Sequence, residues 1–392
     1  MLHLSFLSRQ DLSLIILLFL TELTRSAFFL TFWPLYTVHF LNASVAGAGL
    51  VVSAHYFTET VFKTAVGCQL DRHGKPVLLA GLLLSLLALL GLFQQHATWL
   101  AVFWAGLFGL GFAPIWLAVV SRVAPIGHPD RAARMGAVFS AWLLGAGAGP
   151  VSINFVLTAG FRTAFQLLIG IWVICLVVGI LVPLPAQGAG KQLSLADQLR
   201  KLAADPMVVK ILLPGMFLQT MAASLLLPIL PVYATGVLGL SSRQYGLLLT
   251  AGGAATVLFL IPMGKLADRW PLKKLLTAGF LLSALFLSLL TRAHSFPALM
   301  LLAVLVGFSY AAVLPAWNSL LARAIPPEQQ ATGWGIFTTL EGLGIAVGPV
   351  LGGAIFGWLH PTGAIFLSAF ILAGMGLFYL YYPFDRTLSN QE

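Results

Sequence analysis

Five charged side chains lie deep within stretches apolar enough to cross a bilayer: Glu22, Arg25, Glu59, Lys63 and Glu341. A charged residue at mid-membrane costs roughly 2.5–3.5 kcal/mol if it faces lipid, so such residues mark pairs, polar-ligand sites or proton relays. Glu22 and Arg25 stand i, i+3, and Glu59 and Lys63 stand i, i+4, so each pair shares one helix face. An acid beside a fixed cation suits proton coupling, because its proton affinity then depends on whether the cation stays close. Glu341 has no charged neighbour in sequence. A proton site, a head-group acceptor and a neutral packing residue all fit it.

The surrounding chain is 392 residues long, 59% hydrophobic and only 8% charged, against about 25% charged in soluble domains. This predicts an all-α polytopic membrane protein. A β-barrel would need short alternating segments, which are absent. Twelve spans fit: 12–41, 45–68, 75–95, 97–123, 131–158, 161–183, 207–236, 242–265, 272–292, 295–324, 328–355 and 360–383. The first apolar run is about twice a signal-peptide core and has no small-residue cleavage site, so it reads as a span.

The net charge of +9 comes without a basic patch interleaved with aromatics, which argues against nucleic-acid binding. Topology explains it instead. With the N-terminus inside, three of the 21 Lys and Arg (Arg162, Arg243, Arg292) fall outside. Two (Arg25, Lys63) fall within spans and the remainder are cytoplasmic. Both termini are therefore expected in the cytoplasm of a cell with this chain in its inner or plasma membrane. Cys68 and Cys175 read as small buried hydrophobes rather than a disulfide or metal pair.

One break stands out, at 184–206, where Pro185, Gly188 and Gly190 precede Lys191, Asp197, Arg200 and Lys201. It divides the chain into an N-terminal bundle (1–183), a cytoplasmic linker (184–206) and a C-terminal bundle (207–392). Leu193, Leu195, Leu199 and Leu202 interleave with its charges, which suits an amphipathic surface helix. The halves repeat. Gly67-Cys68-Gln69-Leu70-Asp71-Arg72 returns as Gly264-Lys265-Leu266-Ala267-Asp268-Arg269, and Pro34-Leu35-Tyr36 as Pro231-Val232-Tyr233, both displaced by 197 residues. Gly111-Phe112 matches Gly307-Phe308, and Gly149-Pro150-Val151 matches Gly348-Pro349-Val350. A duplicated six-helix unit is a transporter design.

Gly67-x-x-Leu70-Asp71-Arg72-x-Gly74-Lys75 resembles the loop between helices 2 and 3 of the major facilitator superfamily. With its weaker copy at 264–274, the twelve spans and the long linker, the resemblance covers the whole chain. It implies two pseudo-symmetric six-helix bundles, alternating access and a monomer. It also implies a gate built from Gly67, Asp71, Arg72, Gly74, Asp268 and Arg269, in which the aspartate latches the cytoplasmic side. Arg131, Arg134 and Pro326-Pro327-Glu328 are candidate partners for that aspartate. Gly145-x-Gly147-x-Gly149-Pro150 resembles the glycine-proline motif of the family's antiporters. Its echo at 342–349 leaves pure helix packing through Gly145, Gly149 and Pro150 equally open. Drug exporters of the family typically carry an arginine mid-way along the fourth span. Residues 101–120 contain none.

A narrower resemblance follows from Glu22-x-x-Arg25, an acid on the second span, and tryptophans on the fourth and fifth. These look like the lipid-linked disaccharide flippases of lipoteichoic acid synthesis. That resemblance implies a proton-coupled glycolipid flippase with Glu22, Arg25, Glu59, Trp116 and Trp142 lining the head-group pocket. Ordinary bundle packing remains open for the two tryptophans. The matching stretches of the seventh and eighth spans, Met221–Leu230 and Thr256–Pro262, carry no charge. A cavity polar on one side and greasy on the other is therefore expected, with protons and an amphiphile as partners.

Two other functions compete: a multidrug efflux proton antiporter, and a membrane-embedded lipid-modifying enzyme. No nucleophile constellation supports the enzyme. Neither a phosphate-binding loop nor metal-ligand spacing occurs, so no cofactor or metal is expected. His55, Asn154 and Asn318 read as hydrogen-bonders in helix packing.

Overall fold

Cap and turn residues fix where the helices begin. Ser8 accepts from the Asp11 backbone N–H at 3.1 Å while its own N–H donates to Asp11 Oδ2 at 2.9 Å, a reciprocal capping box. Ser44 caps the second helix by accepting from Gly47 N. That helix ends at Gly74, whose φ of 62° and ψ of −122° suit only glycine, and Pro76 enters the first turn of the next.

The computed structural model describes residues 7–93, 97–125, 131–184, 208–267, 269–324, 330–359 and 362–382, and the side chains among them except 131–133 and 322–337. The linker with its expected surface helix, Asp268 and Pro326-Pro327-Glu328 lie outside these residues. Among the described residues twelve long helices carry the fold: α1 (Arg9–Phe40), α2 (Val45–His73), α3 (Lys75–Leu92), α4 (Thr98–Val123), α5 (Arg131–Val156) and α6 (Phe161–Leu181), then α7 (Val208–Val237), α8 (Ser242–Ala267), α9 (Leu272–Leu290), α10 (Phe296–Ala324), α11 (Gln330–Trp358) and α12 (Gly363–Tyr381). Among the described residues eleven are long and apolar enough to cross a membrane. The remaining one, α2, carries His55, Glu59, Lys63 and Asp71.

Two compact units result, Met1–Gln192 and Leu193–Glu392, and each has the same internal plan. In the first, α1 packs on α5, α2 on α4, and α3 on α4 and α6. In the second, α7 packs on α11, α8 on α10, and α9 on α10 and α12. The hydroxyl ties repeat as well. Thr58 Oγ1 lies 2.8 Å from Gly106 O across α2 and α4, and Thr256 Oγ1 lies 3.1 Å from Gly307 O across α8 and α10. Ser26 Oγ sits 3.1 Å from Gly145 O, and Ser224 Oγ sits 3.1 Å from Gly344 O.

The hydroxyls of these ties align α1 with α7 and α2 with α8 at a displacement of 198. Glu22, Arg25, Glu59 and Lys63 then correspond to Thr220, Ala223, Val257 and Ile261. The framework is duplicated and the charge is not.

Asp11 fastens one end of the first unit. Beyond capping α1, its Oδ2 accepts from Arg134 Nη1 at 3.1 Å, and the same Nη1 lies 3.0 Å from Val123 O at the end of α4. Arg134 is thus engaged with Asp11 rather than with Asp71. Asp11 is nearly fully buried, so losing its charge removes a sheltered charge-assisted bond worth about 2 kcal/mol. Asp11→Asn is expected to lower the thermal midpoint of purified protein by a few degrees while transport per folded molecule stays at the wild-type level.

Candidate functional site

Glycine brings α5 against the turn of α1 that carries the charges. A Cβ on Gly145 would stand 2.6 Å from Phe19 O and 2.9 Å from Glu22 Cβ, and one on Gly149 would run into Ser26 Oγ and Leu23 O. Gly147, between them, has nothing within 4 Å. Only the i, i+4 pair of glycines is therefore required by packing. Past this turn, α1 opens into π-helical turns at Ala27–Phe32 and Tyr36–Phe40 around Pro34, local widenings that accommodate the proline.

On the surface so positioned, four of the five intramembrane charges form one chain. Arg25 Nη2 and Nε donate to Glu22 Oε2 at 2.6 and 3.0 Å. Arg25 Nη1 reaches Glu59 Oε2 at 3.3 Å, and Lys63 Nζ lies 3.6 Å from Glu59 Oε1. Side-chain exposure rises along the chain, from 3% at Glu22 through 9% and 12% to 28% at Lys63. The chain of charges is thus most accessible at its Lys63 end. With all four groups ionised the cluster is neutral, and Arg25 is compensated twice. Its guanidinium also lies 4.8 Å from the Phe112 ring centre and 5.2 Å from that of Tyr56, a cation–π setting that helps hold it away from water.

Trp116 of α4 and Trp142 of α5 form a second element of this unit. Their rings meet edge to face with centres 6.2 Å apart, and Phe139 packs on Trp116. Both tryptophans are half-buried. Glu341 belongs to the second unit, half-buried on α11.

In the loop motif, Gly74 has the demanding backbone described above. Gly67 faces only the tip of Leu117, 3.3 Å from a Cβ placed there, a crowding that a flexible side chain absorbs. Lys75 closes the end of α6: its backbone N–H donates to Leu184 O at 2.9 Å and its Nζ to Ile180 O at 2.5 Å. Asp71 has no hydrogen-bond or ion-pair partner among the described residues, and Arg72 and Arg269 are exposed.

Three sequence expectations fare differently. Cys175 is buried but Cys68 is exposed. Asn154 bonds Pro150 O of its own helix at 2.6 Å. His55 is fully buried and makes no hydrogen bond. Sequence reasoning also missed Tyr56 and Phe112 as the walls around Arg25. Nothing in spacing alone ties a ring on α4 to a base on α1, although His55 and Glu59 at i, i+4 were a signal.

The family model of the Major Facilitator Superfamily matches residues 14–214 and 212–391. The chain is 28% identical over 387 residues to the proton-coupled antiporter flippase LtaA of Staphylococcus aureus (strain USA300), covering 93% of each chain. It is 29% identical over 393 residues to the LtaA of Staphylococcus haemolyticus (strain JCSC1435), covering 98% of this chain and 97% of that one. Among solved structures, the nucleoside transporter NupG superposes with a TM-score of 0.74 at 15% identity, covering 95% of this chain and 98% of that one. The human organic anion transporter MFSD10 does so with a TM-score of 0.64 at 18% identity, covering 95% and 100%. These two likenesses concern the fold alone. A family match along both halves, an all-helical duplicated fold and a charge chain within one half lead to one conclusion: this multi-pass membrane protein belongs to the Major Facilitator Superfamily and is a transporter, not an enzyme.

Proposed function

We propose that this transporter flips a lipid-linked sugar across the inner or plasma membrane by alternating access, using the proton gradient. The observation that carries the reading is Arg25, a buried guanidinium compensated by two carboxylates on different helices. Protonating either acid loosens the guanidinium toward an incoming polar group. The relatives' printed name, proton-coupled antiporter flippase, supports the same reading.

In this scheme Glu22, Arg25, Glu59 and Lys63 receive the head group and the proton, and Trp116 and Trp142 offer ring faces to sugar. On the second unit, Val257, Leu258 and Ile261 are exposed where the first carries Glu59 and Lys63, a surface whose chemistry suits acyl chains. Glu341 adds an acid to that unit. Gly67, Asp71, Arg72 and Gly74, with Asp268 and Arg269, act as the gate. The bundles are 1–183 and 207–392, joined by the linker 184–206, with both termini cytoplasmic and the chain a monomer.

The test is reconstitution into liposomes with head-group-labelled diglucosyl-diacylglycerol and a membrane-impermeant quencher. Quenching should accelerate with an imposed pH gradient and stall in Glu59→Gln. If the lipid stays put under either gradient direction while lipophilic cations move, the substrate is a drug and the lipid reading fails.

A further inference from the structure

His55 is completely buried on α2, one turn before Glu59. Its ring stacks on Phe29 with centres 4.3 Å apart and planes 6° from parallel, and Phe108 and Phe112 meet it edge-on. Neither ring nitrogen has a hydrogen-bond partner, yet Nε2 points to within 3.7 Å of Glu59 Oε2. Orphaned buried polar atoms are expensive and rare, so each calls for a reason.

Glu59 supplies one. Its three neighbours, Arg25 at 3.3 Å, Lys63 at 3.6 Å and His55 at 3.7 Å, all stand beyond the roughly 2.7–2.9 Å of a formed charge-assisted bond. The Glu22–Arg25 contact at 2.6 Å, by contrast, is closed. The Glu59 carboxyl is therefore held by one long hydrogen bond from Arg25 Nη1, and a shift of about an ångström would bring it within bonding distance of His55 Nε2.

We propose that His55 is the second seat of the Glu59 carboxyl: on taking a proton, Glu59 leaves Arg25 and donates its O–H to His55 Nε2. The proposal rests on the proton-coupled reading of this site. One O–H bond forms, with a proton from the water that reaches Lys63, and no other bond changes. The imidazole stays neutral, with its hydrogen on Nδ1. Arg25 remains balanced by Glu22, and its Nη1 is freed for a head-group oxygen. The titratable groups facing His55 are Tyr56, Glu59 and, through Glu59, Lys63 on its own helix, with Arg25 and Glu22 from α1. The fourth helix contributes the rings Phe108 and Phe112. A cation on the imidazole would stand against Arg25, so the proton belongs on the acid.

The test is a pH titration of the protonated-carboxyl infrared band in substrate-free protein in lipid nanodiscs, assigned by its loss in Glu59→Gln. His55→Phe keeps the stack on Phe29 and removes the acceptor, and His55→Leu does so without a ring should Phe overfill the site. Both should move the band's midpoint about one pH unit toward acid, equivalent to a tenfold loss of proton affinity. His55→Gln, which retains an acceptor, should stay near the wild-type midpoint. An unmoved midpoint in Phe and Leu, whatever their thermal stability, would reduce His55 to packing. So would a Gln variant shifted as far as they are. An imidazole titration that survives Glu59→Gln would put the proton on His55 and overturn the scheme. No substrate is present, so failure of the glycolipid reading leaves this result intact.

Discussion

Arg25→Ala is expected to lower proton-driven transport at least about 100-fold and to destabilise the fold by roughly 3–5 kcal/mol, the range for breaking a buried ion pair from one side. The second effect arises because Glu22, with 3% of its side chain exposed, loses its partner base and is left either as an unpaired buried charge or as a carboxyl that must take up a proton. The two effects separate in the double variant Glu22→Gln/Arg25→Ala. There both charges are gone, so most of the stability should return while transport remains lost, since nothing is left to hold a head group. Thermal midpoints and proteoliposome transport on the same preparations measure this. Transport recovering together with stability would show that Arg25 only holds the helix together.

Gly149→Ala should cost about 2–3 kcal/mol, because the added methyl meets backbone rather than a movable side-chain tip. Leu23 O and Ser26 Oγ are in its way, and Ala27 N would be 2.8 Å off. Gly348→Ala meets Ser224 Oγ and Leu225 N in the second half and should cost as much. The consequences differ for the site. Gly149 backs the α1 turn that carries Glu22 and Arg25, so its substitution should also shift the pH dependence of transport. Gly348 backs the uncharged α7 turn of Met221, Ser224 and Leu225, so its substitution should reduce only the amount of folded protein. Gly147→Ala, with open space around it, serves as the neutral comparison. Equal pH profiles for the two clashing variants would break the link between glycine packing and the charge cluster.

Helix existence and the duplication were legible in the sequence because both rest on long-range periodic signals: apolar runs of membrane length and motifs repeated at 197. The pairs Glu22–Arg25 and Glu59–Lys63 were legible because helical spacing alone places such residues side by side. The link between the pairs was not. Arg25 meets Glu59 because α1 and α2 converge, a tertiary fact without local signature. The aromatic walls at Tyr56 and Phe112 are hidden for the same reason. His55 was misread as an ordinary hydrogen-bonder because a histidine within a span normally finds a partner. Its isolation is visible only once the Phe29 and Phe108 rings around it are placed.

The exposure gradient from Lys63 inward to Glu22 imposes an order on events. On the proposed proton-coupled scheme Glu59, the more exposed acid, takes its proton before Glu22, and a proton bound for Glu22 has to pass Glu59 and the guanidinium between them. On that scheme the two carboxylates fill and empty in turn, as a queue with a single door. A queue of this kind can hold its innermost proton through a conformational change that is quick compared with exchange at the door. If the proposed coupling holds, the gearing of transport to proton flow is set by a race between rates, decided at Glu59, rather than by the affinity of either acid taken alone.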